Sequence, residues 1–286
     1  MTNVIIPQNS HLYQTFEEAA HKQRIVLFAG LPGVGKSLFV QQMALMAHEM
    51  GRAVQLLQWD VARMAFETDA ILAKYPEIDG LTQPIIRKAV GMWARQGVWQ
   101  WHQAHPEKNH ILVGEVPLVG NRLIELVQKQ DDEVEPLLRS EQTQFFLPVP
   151  SREIRAIIEA ARAKSIANPQ HEKEVKDAPP NVLQLNWLEA NELAYQLGLL
   201  NEPPVSGMAY DPEVYTAVYR YLLQHRQHQV LSITETLKSG RSVYDLEVAV
   251  SDIQASPQEA SRIMEHLETD LTLEEIAHAV AQWHII

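Results

Sequence analysis

Near its amino terminus the chain reads Gly30-Leu31-Pro32-Gly33-Val34-Gly35-Lys36-Ser37. This octapeptide fits the pattern G-x-x-x-x-G-K-[ST], which is typical of loops that bind the phosphates of a nucleotide. The residues before it, 24–29, are apolar after the first one and predict a buried β-strand. Those after it, 38–47, predict a helix, so the pattern has the strand and helix context that it requires. The alternative is a glycine turn with a purely structural role.

The residue types in this stretch suit the binding of a triphosphate. Glycine lets the backbone approach a phosphate without an intervening Cβ, so that successive N–H groups form an anion-binding concavity. The helix adds the positive end of its dipole. Lys36 would contact the β- and γ-phosphates, and the Ser37 hydroxyl would bind Mg²⁺. We therefore expect ATP and Mg²⁺ as cofactors, with the nucleotide held by Gly30, Pro32, Gly33, Val34, Gly35, Lys36, Ser37 and Leu38.

Composition excludes several classes of protein. The chain has 286 residues, of which 46% are hydrophobic, which is enough for one large core with or without a smaller appended domain. It has no cysteine, which excludes a disulfide framework, a thiolate metal site and a cysteine nucleophile. It has no apolar run of about 18 residues, so we expect no membrane span. The first residues do not resemble a secretory signal, which predicts a cytoplasmic location.

The net charge of −12 is unevenly distributed along the chain. From Glu202 onward there are 13 acidic and 5 basic residues, so this part alone carries a net charge of −8. An acidic region repels the backbone of nucleic acids, which argues against long nucleic acid as a partner. A small phosphorylated substrate in a locally basic cleft is compatible with this charge.

Apolar segments alternate with helical patterns along the first 200 residues. This alternation is typical of an α/β fold, and right-handed crossovers then give a doubly wound, mostly parallel sheet. We expect five strands, at residues 24–29, 53–59, 110–114, 144–149 and 182–185. A helix is nearly as good an assignment for the last of them, and residues 230–233 could add a strand. Because proline cannot donate to a ladder, Pro148 is expected at a strand end or on an edge.

Ligands of open α/β sheets bind at the carboxyl ends of the strands. Asp60 follows the second predicted strand, and Glu115 follows the third. Arg152 and Arg155 open the helix predicted after the fourth. Because these strand ends share one edge of the sheet, we expect the carboxylates and arginines to converge on the glycine loop.

Together with the glycine loop, these residues resemble the P-loop kinases. The similarity includes the D-x-x-R pair of Asp60 and Arg63, the acidic Glu115 and the arginine-bearing helix. Within this group the resemblance is to the branch that contains polynucleotide kinases, zeta toxins and gluconate kinases.

The resemblance covers roughly residues 22–200. It implies a P-loop NTPase-type nucleotide-binding domain within residues 1–200, and the remaining residues 201–286 are expected to form a mostly helical, acidic region. The link between the two is Glu202-Pro203-Pro204. One more helix is expected at residues 122–130.

The resemblance also implies roles for single residues. Asp60 would be the general base that takes a proton from an acceptor hydroxyl, and Arg63 would hold an anionic group of the acceptor. Glu115 stands where the family more often has aspartate, and with Ser37 it would bind Mg²⁺. Each residue also has a plainer interpretation. Asp60 could be a helix N-cap, Arg63 could lie on a solvated surface, and Glu115 could bond a backbone amide.

Four more arginines are candidates for the site. Arg152, Arg155 and Arg162 lie on or near the helix after the fourth strand, and in related kinases such a lid supplies an arginine to the transferring phosphoryl group, which makes Arg152 and Arg155 catalytic candidates without a choice among the three. The alternative is pairing with glutamates of the same solvated helix. The apolar segment 116–121 is expected to form a wall of the acceptor pocket, with Arg122 as an anion contact.

These patterns together predict an ATP-dependent kinase that transfers the γ-phosphoryl group to a hydroxyl of a small-molecule or nucleotide-type acceptor. The alternative is a regulatory ATPase or switch protein that binds a nucleoside triphosphate and has no small-molecule acceptor. A GTPase should show N-K-x-D after a strand. The nearest string, Gln128-Lys129-Gln130-Asp131, falls in a predicted helix.

Overall fold

The computed structural model describes residues 4–78, 80–169, 171, 174, 178–237, 242, 245–246 and 248–286. The strands are β1 (Ile25–Ala29), β2 (Ala53–Leu57), β3 (His110–Val116), β4 (Thr143–Pro150), β5 (His228–Ile233) and β6 (Val250–Asp252). The helices are α1 (His11–Lys22), α2 (Lys36–Glu49), α3 (Trp59–Ala62), α4 (Asp69–Lys74), α5 (Pro84–Ala104), α6 (Glu135–Arg139), α7 (Arg152–Ala167), α8 (Pro180–Gln196), α9 (Pro212–Leu222), α10 (Pro257–Asp270) and α11 (Leu273–Ala281). None of the helices in the described ranges is long and apolar enough to cross a membrane.

The strands form one parallel sheet in the order β5-β4-β1-β3-β2-β6. The predicted α/β class with a parallel sheet is confirmed, but the prediction of five strands is wrong, because the described residues form six. Residues 182–185 lie in α8, β5 covers the optional strand at 230–233, and β6 was not predicted. Helix is favoured at 182–185 because Pro180 opens the first turn and the buried Leu183 and Trp187 recur at helical spacing.

Residues beyond 200 supply both edges of this sheet. β5 pairs with β4 at one edge, and β6 pairs with β2 at the other. The region was expected to be mostly helical, and it does contain α9, α10 and α11 beside these two strands. Because α10 and α11 both pack against α5, the C-terminal residues contribute to the main hydrophobic core.

Apolar side chains cover both faces of the sheet. One face of β1 presents Ile25 and Leu27 to a buried cluster that includes residues of α5, α8 and α9. The opposite face presents Val26 and Phe28 to α1 and α2, where the ring centroid of Phe16 lies 5.5 Å from that of Phe28. Burial on both faces explains why this strand reads as a continuous apolar run.

Pro148 lies inside β4, with β1 on one side of the strand and β5 on the other. The N–H groups of Phe145 and Ser151 donate to carbonyl oxygens on the β5 side, each at 2.9 Å. Since alternate residues point the other way, the nitrogen of Pro148 faces β1. The pairing of β1 with β4 ends at Phe146, so the missing N–H removes no ladder hydrogen bond. Pro148 is therefore not on an edge strand, but it lies where β4 is paired only with β5.

The prediction of a helix at residues 122–130 is wrong. That segment contains only a 3₁₀ turn, Ile124–Leu126. Asn121 and Leu123 have positive φ angles of 60° and 65°, which an α-helix does not accommodate. The chain after β3 is therefore a buried loop rather than a helix.

The close approach of β2 and β3 requires a glycine at position 114. A Cβ there would lie 2.6 Å from the Leu57 carbonyl oxygen, a backbone atom that cannot move without distorting β2. Gly114→Ala is therefore expected to lower the free energy of unfolding by ~1–3 kcal/mol in chemical denaturation.

The matched control for this test is Gly97→Ala in α5. Its Cβ would lie 3.3 Å from the Trp93 ring, and alanine favours a helix over glycine by ~1 kcal/mol, so we expect little net change. A Gly114→Ala protein as stable as wild type would contradict the steric argument.

Candidate functional site

The glycine loop, residues 30–37, joins β1 to α2. Gly33 and Gly35 have φ angles of 82° and 92°, in the left-handed region that glycine adopts readily. Gly35 is the N-cap of α2 and has no side chain to cap it, so the N–H groups of the first turn face the loop. Gly30 is needed for a different reason, because a Cβ there would lie 2.5 Å from the Tyr215 hydroxyl oxygen.

Lys36 places its ammonium group inside this loop. The side chain is buried, and its Nζ donates a 3.0 Å hydrogen bond to the Leu31 carbonyl oxygen. Burial lowers the pKa of Lys36 to about 8, because the charged form loses hydration. The Glu115 carboxylate opposes this shift, and the guanidinium of Arg155 adds to it. An anion bound in the loop would stabilise the ammonium form.

The remaining loop positions differ in exposure. Gly33 and Val34 are buried, whereas Pro32, Ser37 and Leu38 are partly exposed. The loop is therefore only partly open to solvent.

Ser37, in the first turn of α2, lies beside Glu115, near the end of β3. The Ser37 Oγ donates to Glu115 Oε2 at 3.3 Å. Burial raises the pKa of the Glu115 carboxyl, and the nearby Lys36 ammonium opposes that shift. A hydroxyl and a carboxylate oxygen are the hard ligands that Mg²⁺ prefers, and Mg²⁺ commonly takes one or two protein ligands together with phosphate oxygens. The described residues contain no group of three or more potential histidine, aspartate or glutamate ligands, so a site of that kind would depend on the phosphates.

Asp60 lies in the first turn of α3, whose N-cap is Gln58. The N-cap interpretation of Asp60 is therefore wrong. Its Oδ1 lies 3.2 Å from Arg63 Nε. The Asp60 charge also raises the pKa values of both Lys36 and Glu115, so this carboxylate belongs to the same end of the sheet.

Carboxylates surround Arg63. Besides Asp60, its guanidinium contacts Glu67 at 2.7 Å and Glu77 at 3.2 Å, measured from Nη1. Burial lowers the pKa of Arg63, but these carboxylates outweigh it and the net shift is upward. The side chain is therefore largely enclosed and already neutralised, and its contact with an acceptor stays a prediction.

The two lid candidates have different surroundings. Arg152 is mostly exposed and pairs with Asp211. Arg155 is buried, and its Nη2 donates to the Pro32 carbonyl oxygen of the glycine loop at 3.3 Å. Its Nε donates to Glu159 at 2.7 Å, so the predicted pairing within the helix also occurs. Arg155 is therefore the lid candidate that touches the loop.

Two side chains of α7 and α8 cover the loop. A Cβ on Gly33 would lie 3.7 Å both from Glu159 and from Leu183. The Arg155 guanidinium also stacks on Tyr210, with its central carbon 4.6 Å from the ring centroid. A phosphate that reaches this part of the loop has to displace some of these contacts.

Sequence reasoning missed the tyrosines of the C-terminal region. The Tyr215 hydroxyl lies against Gly30, and the Tyr219 hydroxyl donates to the Pro117 carbonyl oxygen at 2.6 Å. Their ring centroids are 4.8 Å apart. The spacing of four residues indicates one face of a helix, but nothing in it identifies the loop that this face covers.

The loop after Glu115 is buried and strained. Leu118, Asn121 and Leu123 all adopt positive φ, which costs free energy for residues with a Cβ and persists only where the surroundings enforce it. Arg122 is buried here, and its Nη1 donates to the Val119 carbonyl oxygen at 2.8 Å. The segment lies where a wall of an acceptor pocket was expected, and its role as such a wall stays a prediction.

Comparison with known proteins adds no assignment. The chain matches none of the protein-family models scanned, and a search of curated proteins found no match. The function of the chain is therefore inferred from the chemistry of the site.

The buried ammonium of Lys36 is expected to lower the stability of the folded chain. Its pKa is about 8 in the folded state against 10.5 in a model peptide, so the unfolded chain binds more protons between these values. The cost is fully present below about pH 8 and disappears as the pH rises toward 10.5. Lys36→Met is therefore expected to raise the free energy of unfolding near neutral pH by up to roughly 3 kcal/mol.

Chemical denaturation of both proteins across this pH range measures the effect. The gain from Lys36→Met should shrink as the pH rises, whereas Lys22→Met, at an exposed position on α1, should show no such trend. A gain that does not change with pH would rule out desolvation of Lys36 as its cause.

Proposed function

We propose that this chain is an ATP-dependent phosphotransferase with a P-loop NTPase-type fold, which transfers a γ-phosphoryl group to an acceptor hydroxyl. The observation that carries the proposal is the convergence of three groups at one end of the sheet. These groups are the Lys36 ammonium inside the glycine loop, the adjacent Ser37 and Glu115, and the separate carboxylate of Asp60. A protein that only binds a nucleotide needs the Lys36 ammonium and the Ser37–Glu115 pair. The separate Asp60 carboxylate suits the activation of a second substrate.

Each group has a defined part in this reaction. Bound ATP with Mg²⁺ would supply the transferable phosphoryl group. The loop N–H groups and Lys36 bind the phosphates, and Ser37 and Glu115 provide oxygen ligands for the metal. Asp60 would accept the proton of the acceptor hydroxyl as the new oxygen–phosphorus bond forms and the bond from the γ-phosphorus to the bridging oxygen breaks, with ADP as the leaving group. Its ion pair with Arg63 holds the carboxylate in one orientation.

Arg155 is the arginine best placed to stabilise the transferring group. It already contacts the Pro32 carbonyl oxygen, and its Nη1 is buried without a hydrogen-bond partner among the described residues. A buried donor without a partner is unfavourable, so an incoming phosphate oxygen that accepts from it gains free energy. Charge-assisted hydrogen bonds of this kind are the strongest that a guanidinium makes.

The alternative is a regulatory ATPase or switch without a small-molecule acceptor. The covering of Gly33 by Glu159 and Leu183 favours it, because a nucleotide that enters the loop would displace these side chains of α7 and α8. A movement of this kind would couple the nucleotide to a surface that a partner could read. The same movement also suits the lid of a kinase. Measuring ATP turnover with and without acceptors therefore distinguishes the two functions.

The first test is ATP consumption by the purified chain with Mg²⁺, in the presence of pools of nucleosides, nucleotides, sugars and nucleotide sugars. We expect one pool to stimulate consumption, and we expect Lys36→Met to abolish both consumption and ATP binding. Tight binding of ATP without stimulation by any pool would favour the regulatory alternative. Unchanged ATP binding by the Lys36→Met protein would refute the assignment of the loop.

The second test separates chemistry from binding. Asp60→Asn should leave the affinity for ATP nearly unchanged and reduce transfer to the acceptor by at least about 100-fold, because general-base catalysis typically contributes that much. Asp69→Asn, at the start of α4, serves as the control. Normal transfer by the Asp60→Asn protein would show that Asp60 is not the base.

A further inference from the structure

Three charged side chains converge around Gly120, in the loop after β3. This glycine has a φ angle of 71°, and a Cβ on it would lie 2.6 Å from Arg122 Nη1, 2.8 Å from Glu189 Oε2 and 3.3 Å from Arg87 Nη1. The three side chains come from distant parts of the chain, namely the loop itself, α8 and α5. The backbone at Gly120 thus passes through the centre of a charged cluster.

The two arginines use few of their donors within the protein. Arg122 donates from Nη1 to Val119 and to Asn186 Oδ1, each at 2.8 Å, and Arg87 donates from Nη1 to the Gly120 carbonyl oxygen at 2.6 Å. The Nε of Arg87 is buried and has no hydrogen-bond partner among the described residues. Since each guanidinium carries five N–H groups, the hydrogen bonds among the described residues use only a minority of their donors.

The cluster also has one positive charge more than it has negative charges. Its carboxylate, Glu189, lies 3.9 Å from Arg122 Nη1, beyond direct hydrogen-bond distance. Burial and the neighbouring Arg122 charge together lower the pKa of Arg87 to about 10, against the opposing effect of Glu189. Burial likewise raises the pKa of Glu189. The lowered pKa of Arg87 reflects a cation that lacks sufficient partners, a deficit that an added anion would reduce, whereas the Glu189 carboxylate would repel that anion.

The position of the cluster connects it to the proposed reaction. The charges of Arg63 and Asp60 both act on Arg122, so the cluster lies at the end of the sheet that carries the candidate base. Arg63 is already engaged by carboxylates, whereas Arg87 keeps a buried Nε without a hydrogen-bond partner among the described residues.

We infer that Arg87 and Arg122 form an anion-binding subsite for the acceptor, which therefore carries an oxyanion group, a phosphate or a carboxylate, in addition to its reacting hydroxyl. That the anion belongs to the acceptor rests on the proposed function. The existence of an anion-binding subsite at Arg87 and Arg122 does not depend on it. Planar guanidinium groups bind such oxyanions through two parallel hydrogen bonds. Glu189 competes with the ligand for the two arginines and so limits the affinity of the empty subsite for small anions.

The test measures the binding of inorganic phosphate and of acetate by isothermal titration calorimetry at low ionic strength, where charge interactions are least screened. Lys36→Met serves as the parent protein, because it removes the ammonium that would bind phosphate in the glycine loop. On this background, Arg87→Gln should weaken binding at least about tenfold, because it removes charge-assisted hydrogen bonds. Glu189→Gln should strengthen binding severalfold.

A matched control is Arg220→Gln, which removes an exposed arginine of α9 and should leave the affinity unchanged. The opposite signs expected for Arg87→Gln and Glu189→Gln distinguish a subsite from a merely structural cluster, in which neither change would alter the affinity for an anion. Preference for phosphate would assign a phosphorylated acceptor, and preference for acetate would assign a carboxylate-bearing one.

The outcome is independent of the test of ATP turnover. Anion binding that Arg87→Gln removes would establish the subsite even if the chain hydrolyses no ATP. The inference is overturned if the Lys36→Met parent binds neither anion, or if Arg87→Gln leaves binding unchanged.

Discussion

The parallel pairing of β1 with β3 is the constraint on which the whole site depends. Phe28 lies opposite Glu115, and Ala29 lies opposite Val116, so the two strands end at the same level. The Gly30 N–H continues the ladder by donating to the Val116 carbonyl oxygen at 3.2 Å. The glycine loop therefore starts beside the end of β3, and its turn into α2 brings the Ser37 hydroxyl to Glu115. A substitution that separates these two strands would therefore move the charged groups of the site apart, even if it replaced none of them.

Charge burial is the second property of this site. Lys36 and Arg155 are nearly inaccessible to solvent, and each contacts a backbone carbonyl oxygen of the glycine loop. A carbonyl dipole only partly replaces the hydration that a cation loses, as the lowered pKa of Lys36 reflects. For Lys36, whose pKa stays lowered despite the nearby Glu115 carboxylate, a bound anion would supply further counter-charge.

The sequence predicted those features that depend on local chemistry. The glycine loop, β1, the carboxylate of Asp60 after β2 and that of Glu115 near the end of β3 follow from short patterns and from the rule that ligands bind at strand ends. The optional strand at 230–233 lies within β5, whereas β6 could not be predicted in the same way, because it is only three residues long and pairs with a strand far away in the sequence. Arg87 gives no signal either, since in α5 it resembles any polar helical residue until the loop at Gly120 folds against it.

The arrangement of the C-terminal residues has a consequence for the loop. Tyr215 of α9 touches Gly30, and β5 holds the start of α7 through the hydrogen bond from the Ser151 N–H to the Ile233 carbonyl oxygen. Arg155, one turn later in α7, contacts the loop at Pro32. A ligand that displaces Arg155 would therefore act on α7, whose N-cap residue Ser151 is hydrogen-bonded to β5. Since coupling between two sites is reciprocal, a change in the packing of β5 or α9 should in turn alter the affinity of the loop for anions.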